Sequence, residues 1–203
     1  MRPLQAPAVT LRTDRAPQHP PVIVTQGGIH HEGGSRVRQV DPMFGVLWEL
    51  WSGPGAGLPQ YGVFDPAVQR RAADRLLCAH GLCKPKRSAG GMLWLLHADR
   101  EEHAWPADIR TTPPICRGHA ELALARCATL RRRSLEVRVP EAEPVGVFGT
   151  LFAPGTPPRC DELVLFDQAD RLRYVLARYL VLELRGATPD STLNLVPVPE
   201  GSS

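Results

Sequence analysis

The spacing of cysteine and histidine residues constrains this chain more than any other feature of its sequence. Cys78 and Cys83 flank the residues Ala-His-Gly-Leu, and Cys116 and His119 follow after thirty-two further residues. Zn²⁺ binds four thiolate or imidazole ligands at the corners of a tetrahedron, about 2.0–2.3 Å from the metal. A glycine-containing turn brings the first pair together, and two residues three apart lie on one face of a helix. The sequence therefore predicts a closed site for structural zinc.

Two alternatives stay open for these residues. His80 lies inside the first turn, and its imidazole is an alternative to Cys83 as a ligand. The other alternative is that the cysteines are small buried hydrophobic residues without a metal, a common role of free cysteine. Cys127 lies about 16 Å beyond Cys116 along a helix axis at 1.5 Å per residue, so we expect it to pack in the core. We expect Cys160 to be a loop thiol without a role.

The number of cysteines and the composition bear on the cellular compartment. The chain has five cysteines, an odd number, and its first thirty residues lack the apolar segment of a secretory signal. No stretch approaches the roughly 18 consecutive apolar residues of a membrane helix. We therefore expect a cytoplasmic protein whose thiols stay reduced or bind metal. A hydrophobic content of 43% is sufficient for a packed core.

Local patterns predict helices and strands on both sides of the cysteine and histidine residues. Asp65 and Pro66 are typical of a helix N-terminus, where a carboxylate caps free N–H groups and proline needs no donor. A second helix is predicted over residues 115–131 and a third over residues 169–185, with a strand as the alternative for residues 179–184. Apolar runs and alternating patterns predict strands at residues 22–25, 92–96, 135–139, 145–152 and 162–166.

The order of these features resembles the treble-clef zinc fingers over about residues 76–133. In that family a knuckle with two ligands precedes a hairpin and a helix whose first turn supplies two more. The resemblance implies an α+β fold, in which this unit is joined by a small antiparallel sheet and a C-terminal helix. The sequence departs from the family in two respects. Four residues separate the first pair where two are usual, and a histidine replaces one cysteine of the second pair.

Residues 45–185 are also similar to a group of small actinobacterial proteins. The motifs that carry this similarity are Gly-Val-Leu-Trp at 45–48, Leu-Trp-Leu-Leu at 93–96 and Pro-Pro-Ile-Cys at 113–116. The similarity implies a common fold and no particular activity. For the whole chain we expect a flexible N-terminal arm over residues 1–40, a single α+β domain over residues 41–186 and a loose tail over residues 187–203.

Charge is distributed unevenly along the chain. Residues 66–133 carry thirteen basic and six acidic side chains, a net charge of +7, whereas residues 134–203 have a net charge of −4. Concentrated positive charge attracts phosphate backbones and acidic protein surfaces, although a solvated basic face is the simpler alternative. We expect a zinc-stabilised module that binds nucleic acid or an acidic protein partner. The residues expected to bind it are Arg70, Arg71, Arg75, Lys84, Lys86, Arg87, Arg131, Arg132 and Arg133.

The alternative is an enzyme or a biosynthetic accessory protein with structural zinc and a separate site around residues 30–32 and 48–51. His30, His31 and Glu32 lie between glycines and offer metal ligands or acid–base groups. Adjacent histidines, however, point in different directions on an extended chain. A nuclease of the His-Asn-His type is not expected, because the chain has no asparagine before Asn194. A cavity in which one of the three residues meets another titratable group would favour this alternative. The sequence leaves the ligand and the oligomeric state open.

Overall fold

Short strands joined by turns make up most of this mixed α+β fold. The computed structural model describes residues 6–18, 20–34, 39–97 and 108–190. The first seven strands are β1 (Thr10–Arg12), β2 (Ala16–Gln18), β3 (Val22–Thr25), β4 (Gly28–His31), β5 (Leu47–Trp48), β6 (Leu50–Ser52) and β7 (Pro59–Phe64). The others are β8 (Met92–His97), β9 (Ile109–Arg110), β10 (Ser134–Val139), β11 (Glu141–Ala153), β12 (Thr156–Leu165), β13 (Val175–Arg185) and β14 (Thr188–Pro189). The helices are α1 (Pro66–Asp74), α2 (Arg117–Arg126), α3 (Ala128–Arg133) and α4 (Ala169–Leu172).

A five-stranded sheet built around β11 and β13 contains most of the core. Strand β11 pairs with β12 and β13 in antiparallel fashion, and β13 also pairs with β5 in parallel and with β9. The side chains of Val175, Leu180 and Leu182 are fully buried. Neighbours on both edges and burial on both faces explain why β13 is apolar almost throughout.

The predicted C-terminal helix is therefore wrong over most of its length. Of residues 169–185, only Ala169–Leu172 are helical, and Val175–Arg185 form strand β13. The apolar residues of this segment fit a helical period as well as a strand. Long-range pairing with β11, absent from any local pattern, decides between the two.

A second sheet has the strand order β14–β10–β8, and β8 divides two apolar clusters. Met92, Trp94 and Leu96 pack in the main core. Leu93 and Leu95 face the other way, into a small cluster with Cys78, Ile115, Ala120 and Leu124. This alternation follows from the two-residue period of a strand. The strands predicted at residues 92–96, 135–139, 145–152 and 162–166 are confirmed as parts of β8, β10, β11 and β12.

Helix α1 begins as predicted from its N-terminal residues. Asp65 accepts hydrogen bonds from the backbone N–H groups of Ala67 and Val68 at 3.0 and 3.1 Å. Its second oxygen forms an ion pair with Arg15 at 2.7 Å. Further along the helix, the fully buried Gln69 bonds both backbone groups of Leu180 in β13. These contacts fix α1 on the five-stranded sheet.

The helix predicted over residues 115–131 is interrupted, which corrects that prediction. Helix α2 ends at Arg126, and Cys127 adopts an extended conformation before α3 begins. The sulfur of Cys127 accepts a hydrogen bond from the N–H of Leu130 at 3.5 Å. No glycine or proline lies at this break, so the sequence pattern predicts one continuous helix across it.

The N-terminal strands pair with strands further along the chain and with one another. Strand β1 pairs with β7, β2 with β6, and β3 with β4. Strands β1 to β4 lie within residues 1–40, the segment predicted as a flexible arm. Of the predicted tail, residues 188–189 form β14, and residues 191–203 lie outside the described part. None of the described helices has the length and apolar character needed to span a bilayer.

Candidate metal centre

The first two cysteines lie on a tight turn just after α1. Leu76 ends the helix with a left-handed backbone, φ 49°, and the N–H of Leu77 donates to the carbonyl of Ala72 at 2.8 Å. This is the Schellman arrangement that closes a helix C-terminus. In the turn itself, the backbone N–H of Cys78 donates to the carbonyl of Cys83 at 2.8 Å. The turn therefore directs both cysteines to one place.

The second pair of residues lies at the start of α2. Cys116 is the N-cap, and His119 follows within the first turn. The backbone N–H of Cys116 also donates to the sulfur of Cys78 at 3.3 Å. The Cys116 sulfur accepts no capping hydrogen bond from the free N–H groups of α2. The helix start therefore positions Cys116 and His119 on one side without itself stabilising the thiolate.

The structure brings these four side chains together, as the spacing predicted. The candidate ligand atoms of Cys78, Cys83, Cys116 and His119 all lie within 4.8 Å of one another. Cys78 Sγ lies 3.2 Å from His119 Nδ1, and Cys83 Sγ lies 3.3 Å from Cys116 Sγ. Ligands of a tetrahedral zinc ion lie about 3.5–3.8 Å apart, given bonds of 2.0–2.3 Å. The four residues could therefore hold a metal ion with small adjustments.

The crowding of three sulfurs affects the protonation of Cys116. Burial, a hydrogen bond to Cys83 and the proximity of Cys78 raise the pKa of the Cys116 thiol from 9.0 to about 12. Several thiolates in so small a space repel one another unless a cation compensates their charge. The donor set therefore fits a cation better than it fits an empty cluster of ionised thiols.

The ring of His119 is closely packed against His80 and Gly81. Its ring stacks on that of His80, with centroids 4.7 Å apart and planes inclined by 15°. A Cβ atom added at Gly81 would lie 2.6 Å from Cε1 of His119, closer than non-bonded atoms approach. Glycine is therefore required beside the histidine ring. The cluster contains Cys83 and not His80, which was the alternative ligand.

The other two cysteines are not part of the cluster. Cys127 is half-buried at the break between α2 and α3, where it caps a helix instead of packing in a core. Cys160 is exposed, as expected, but it lies in strand β12 and not in a loop.

The predicted basic residues differ in how far their charges are available. Exposed side chains without an ion pair among the described residues belong to Arg71, Arg75, Lys84, Lys86 and Arg132. Arg70 lies over the Trp48 ring at 4.5 Å, and burial lowers its pKa. Arg131 donates to the carbonyls of Leu124 and Ala125 at the end of α2, each at 3.1 Å. Arg87 donates to the carbonyl of Pro140, and the side chain of Arg133 is outside the described part.

The alternative site at residues 30–32 does not form a cluster of its three side chains. His31 is 4% exposed at the end of β4, whereas Glu32 is exposed to solvent. His31 instead lines a cavity together with Glu49, from the region 48–51 of the expected alternative site, and with Arg178, which no sequence pattern indicated. His30 is half-buried and does not line this cavity.

Comparisons with protein-family models, with curated proteins and with solved structures give no match to this chain. The resemblance to treble-clef fingers and to the actinobacterial group is therefore without support from them. In the structure, β8 pairs with β10, which follows the second ligand pair, and β9 pairs with β13. The observed unit is thus a metal-ligand cluster between a turn and a helix, and a treble clef is not shown.

Proposed function

We propose that Cys78, Cys83, Cys116 and His119 hold a structural Zn²⁺ ion that stabilises a binding module. The observation that carries this proposal is the convergence of three sulfurs and one imidazole nitrogen within 4.8 Å. Four protein ligands fill the tetrahedron of zinc and leave no open position for a substrate, which is typical of structural sites. Soft thiolates also favour zinc over magnesium or calcium, which prefer oxygen ligands.

In this proposal the unit over about residues 76–133 is a treble-clef-like finger with an altered strand arrangement. The turn that carries Cys78 and Cys83 and the helix start that carries Cys116 and His119 support it. The pairing of β8 with β10 is the departure from that pattern.

The module would bind nucleic acid through phosphate contacts, with an acidic protein surface as the alternative partner. Lys84 and Lys86 directly follow the ligand Cys83, and both are exposed without an ion pair among the described residues. Arg71 and Arg75 are similarly exposed on and after α1. Such groups supply affinity without base recognition. The logarithm of the binding constant for duplex DNA should therefore fall by about 0.9 for each phosphate contact when the salt concentration rises tenfold.

Metal analysis of the purified chain tests the zinc site. We expect one zinc per chain in the wild type and in Cys160→Ser, which removes an exposed thiol outside the cluster. Cys116→Ser should reduce the zinc content to a small fraction of this, because serine is a poor ligand for zinc. Retention of one zinc by Cys116→Ser, or its absence from the wild type after growth in zinc, would contradict the proposal.

Duplex DNA of random sequence tests the binding function in a salt titration. The double variant Lys84→Glu/Lys86→Glu should weaken binding. It should also reduce the slope of the logarithm of the binding constant against the logarithm of the salt concentration by the amount that about two phosphate contacts contribute. The control is Arg159→Glu, an exposed arginine on β12 in the acidic part of the chain. Equal loss in both variants, or a salt-independent affinity, would overturn the nucleic-acid assignment. Binding to an acidic protein and not to DNA would favour the alternative partner.

A further inference from the structure

A cavity of about 350 Å³ lies between the N-terminal strands and the five-stranded sheet. Its volume is within the range of about 300–1,000 Å³ that small-molecule sites occupy. None of its lining residues belongs to the cluster of Cys78, Cys83, Cys116 and His119. Most of them are apolar, and the apolar ones are Pro17, Pro20, Val22, Trp51, Val63, Phe152 and Leu176. Such a lining favours a ligand with an apolar body.

One charged pair in the wall retains unused hydrogen-bonding capacity. Arg178 Nε donates to both carboxylate oxygens of Glu49, at 3.1 and 3.0 Å. Trp51 Nε1 also donates to one of these oxygens, at 3.1 Å. The two terminal amino groups of Arg178 have no hydrogen bond among the described residues. The pair thus offers two parallel donors for a carboxylate and a carboxylate oxygen that can accept another bond.

His31 also lines the cavity, but its ring nitrogens are not open to a ligand. Its Nε2 lies 3.2 Å from the backbone carbonyl of Trp48, and a carbonyl only accepts, so Nε2 carries the proton. Its Nδ1 is buried and is not in contact with the cavity. The charged groups that a ligand could meet in this wall are therefore Arg178 and Glu49.

We propose that this cavity binds a free α-amino acid with an apolar side chain. The carboxylate of the ligand would accept from the terminal amino groups of Arg178. Its ammonium group would donate to Glu49, and its side chain would contact Trp51, Phe152 and Leu176. The opposite charges of Arg178 and Glu49 compensate each other, so a zwitterion matches the wall better than a simple acid or a simple amine.

Calorimetric titration of the zinc-loaded chain with three probes of similar shape tests this proposal. L-Phenylalanine carries both charged groups, 3-phenylpropanoate lacks the amine, and phenethylamine lacks the carboxylate. We expect L-phenylalanine to bind at least about tenfold more tightly than either of the others, because each of them lacks one of the two charged groups that would bond the wall. Equal binding of the three, tighter binding of one of the incomplete probes, or no binding of L-phenylalanine would overturn it.

Variants of Arg178 distinguish the proposed contact from a general effect on the fold. Arg178→Lys keeps the charge beside Glu49 but loses the two parallel donors, so it should weaken L-phenylalanine binding by about tenfold. Arg159→Gln, outside the cavity, should leave affinity unchanged. An affinity of Arg178→Lys equal to that of the wild type would contradict the contact.

This inference does not depend on the metal centre or on nucleic acid. Retention of zinc by Cys116→Ser would contradict the proposed function and leave the cavity proposal unaffected. Failure of L-phenylalanine to bind the zinc-loaded wild type would bear on the cavity alone.

Discussion

The core of the five-stranded sheet and the cysteine-histidine unit differ in what stabilises them. Sixteen buried residues form the main cluster, which draws on β5, β8, β10, β11, β12, β13 and α1. The cluster beside the metal ligands has six, and one of them is the ligand Cys78. Burial of apolar surface stabilises the first region without help. An apolar cluster of six residues is too small for this, so we expect the second region to depend on its ion.

Strand β8 belongs to both regions, and this limits how independent they can be. Trp94 faces the main core and donates to the carbonyl of Thr112 at 3.0 Å, while its neighbours Leu93 and Leu95 face the small cluster. Unfolding of the cysteine-histidine unit would therefore expose one face of β8 and leave the other packed. We therefore expect the packing on the two faces of β8 to differ in stability, although both faces belong to one strand.

Removal of zinc gives the largest expected effect. Structural zinc sites contribute binding free energies of about 10–16 kcal/mol in zinc-finger peptides. A chelator should therefore raise amide hydrogen exchange across residues 76–83 and 116–126 while β11 and β13 stay protected. Hydrogen exchange measured by mass spectrometry, before and after verified metal removal, checks this. Equal deprotection of both regions, or of neither, would remove the contrast between them.

The reverse change, in the main core, should destabilise the fold without releasing the metal from folded molecules. Leu180 is fully buried in β13, so Leu180→Ala should lower the free energy of unfolding by about 2–5 kcal/mol. The zinc content at low denaturant should remain one per chain. Leu135→Ala, at a largely exposed leucine, serves as control and should change stability by at most about 0.5 kcal/mol. Denaturant unfolding with metal analysis checks both, and loss of zinc in folded Leu180→Ala would be the contrary result.

A methyl group beside His119 should disturb the metal centre alone. In Gly81→Ala the new Cβ would lie 2.6 Å from the histidine ring, so the ring or the turn must move. We expect a loss of about 1–3 kcal/mol, typical of overpacking, seen as weaker zinc affinity in a chelator competition. Affinity equal to that of the wild type would mean that the turn is more adaptable than its contacts indicate.

Gly118 provides the matched position with the smallest expected effect. It lies in the first turn of α2 between Arg117 and His119, and an added Cβ would meet no atom within 4 Å. Gly118→Ala should stabilise the zinc-loaded chain by about 0.5–1 kcal/mol, because alanine loses less backbone entropy in a helix. Thermal unfolding measures this, and a decrease in melting temperature would indicate a contact at this position that the structure lacks.

The sequence was most informative where chemistry is local. The spacing of Cys78, Cys83, Cys116 and His119 predicted that they lie together, and the capping residue Asp65 predicted the start of α1. The cap and each ligand pair depend on residue types with narrow geometric roles within a few positions of one another, although thirty-two residues separate the two pairs. The zinc ion itself and the basic interface stay predictions.

Elements defined by distant partners were beyond the sequence. Most of strand β13 was predicted as a helix because its pairing with β11 is not visible locally, and the strand alternative for residues 179–184 was the correct one. The cavity is lined by residues from β2, β3, β4, β6, β7, β11 and β13, and no spacing rule connects these segments. Glu49 offered a signal, since it is the only charged residue in the apolar run 44–51. A lone charge in such a run requires a partner, and here it is Arg178, 129 positions away.

Gln69 connects helix α1, which leads to Cys78, with strand β13 of the five-stranded sheet. Its amide bonds both backbone groups of Leu180 in β13 and the carbonyl of Thr111, and α1 ends only four residues before Cys78. The sheet therefore fixes the helix that leads to Cys78. With zinc bound at the cluster as proposed, such preorganisation would reduce the ordering cost of binding, and the strand register at Leu180 would contribute to metal affinity from outside the coordination sphere.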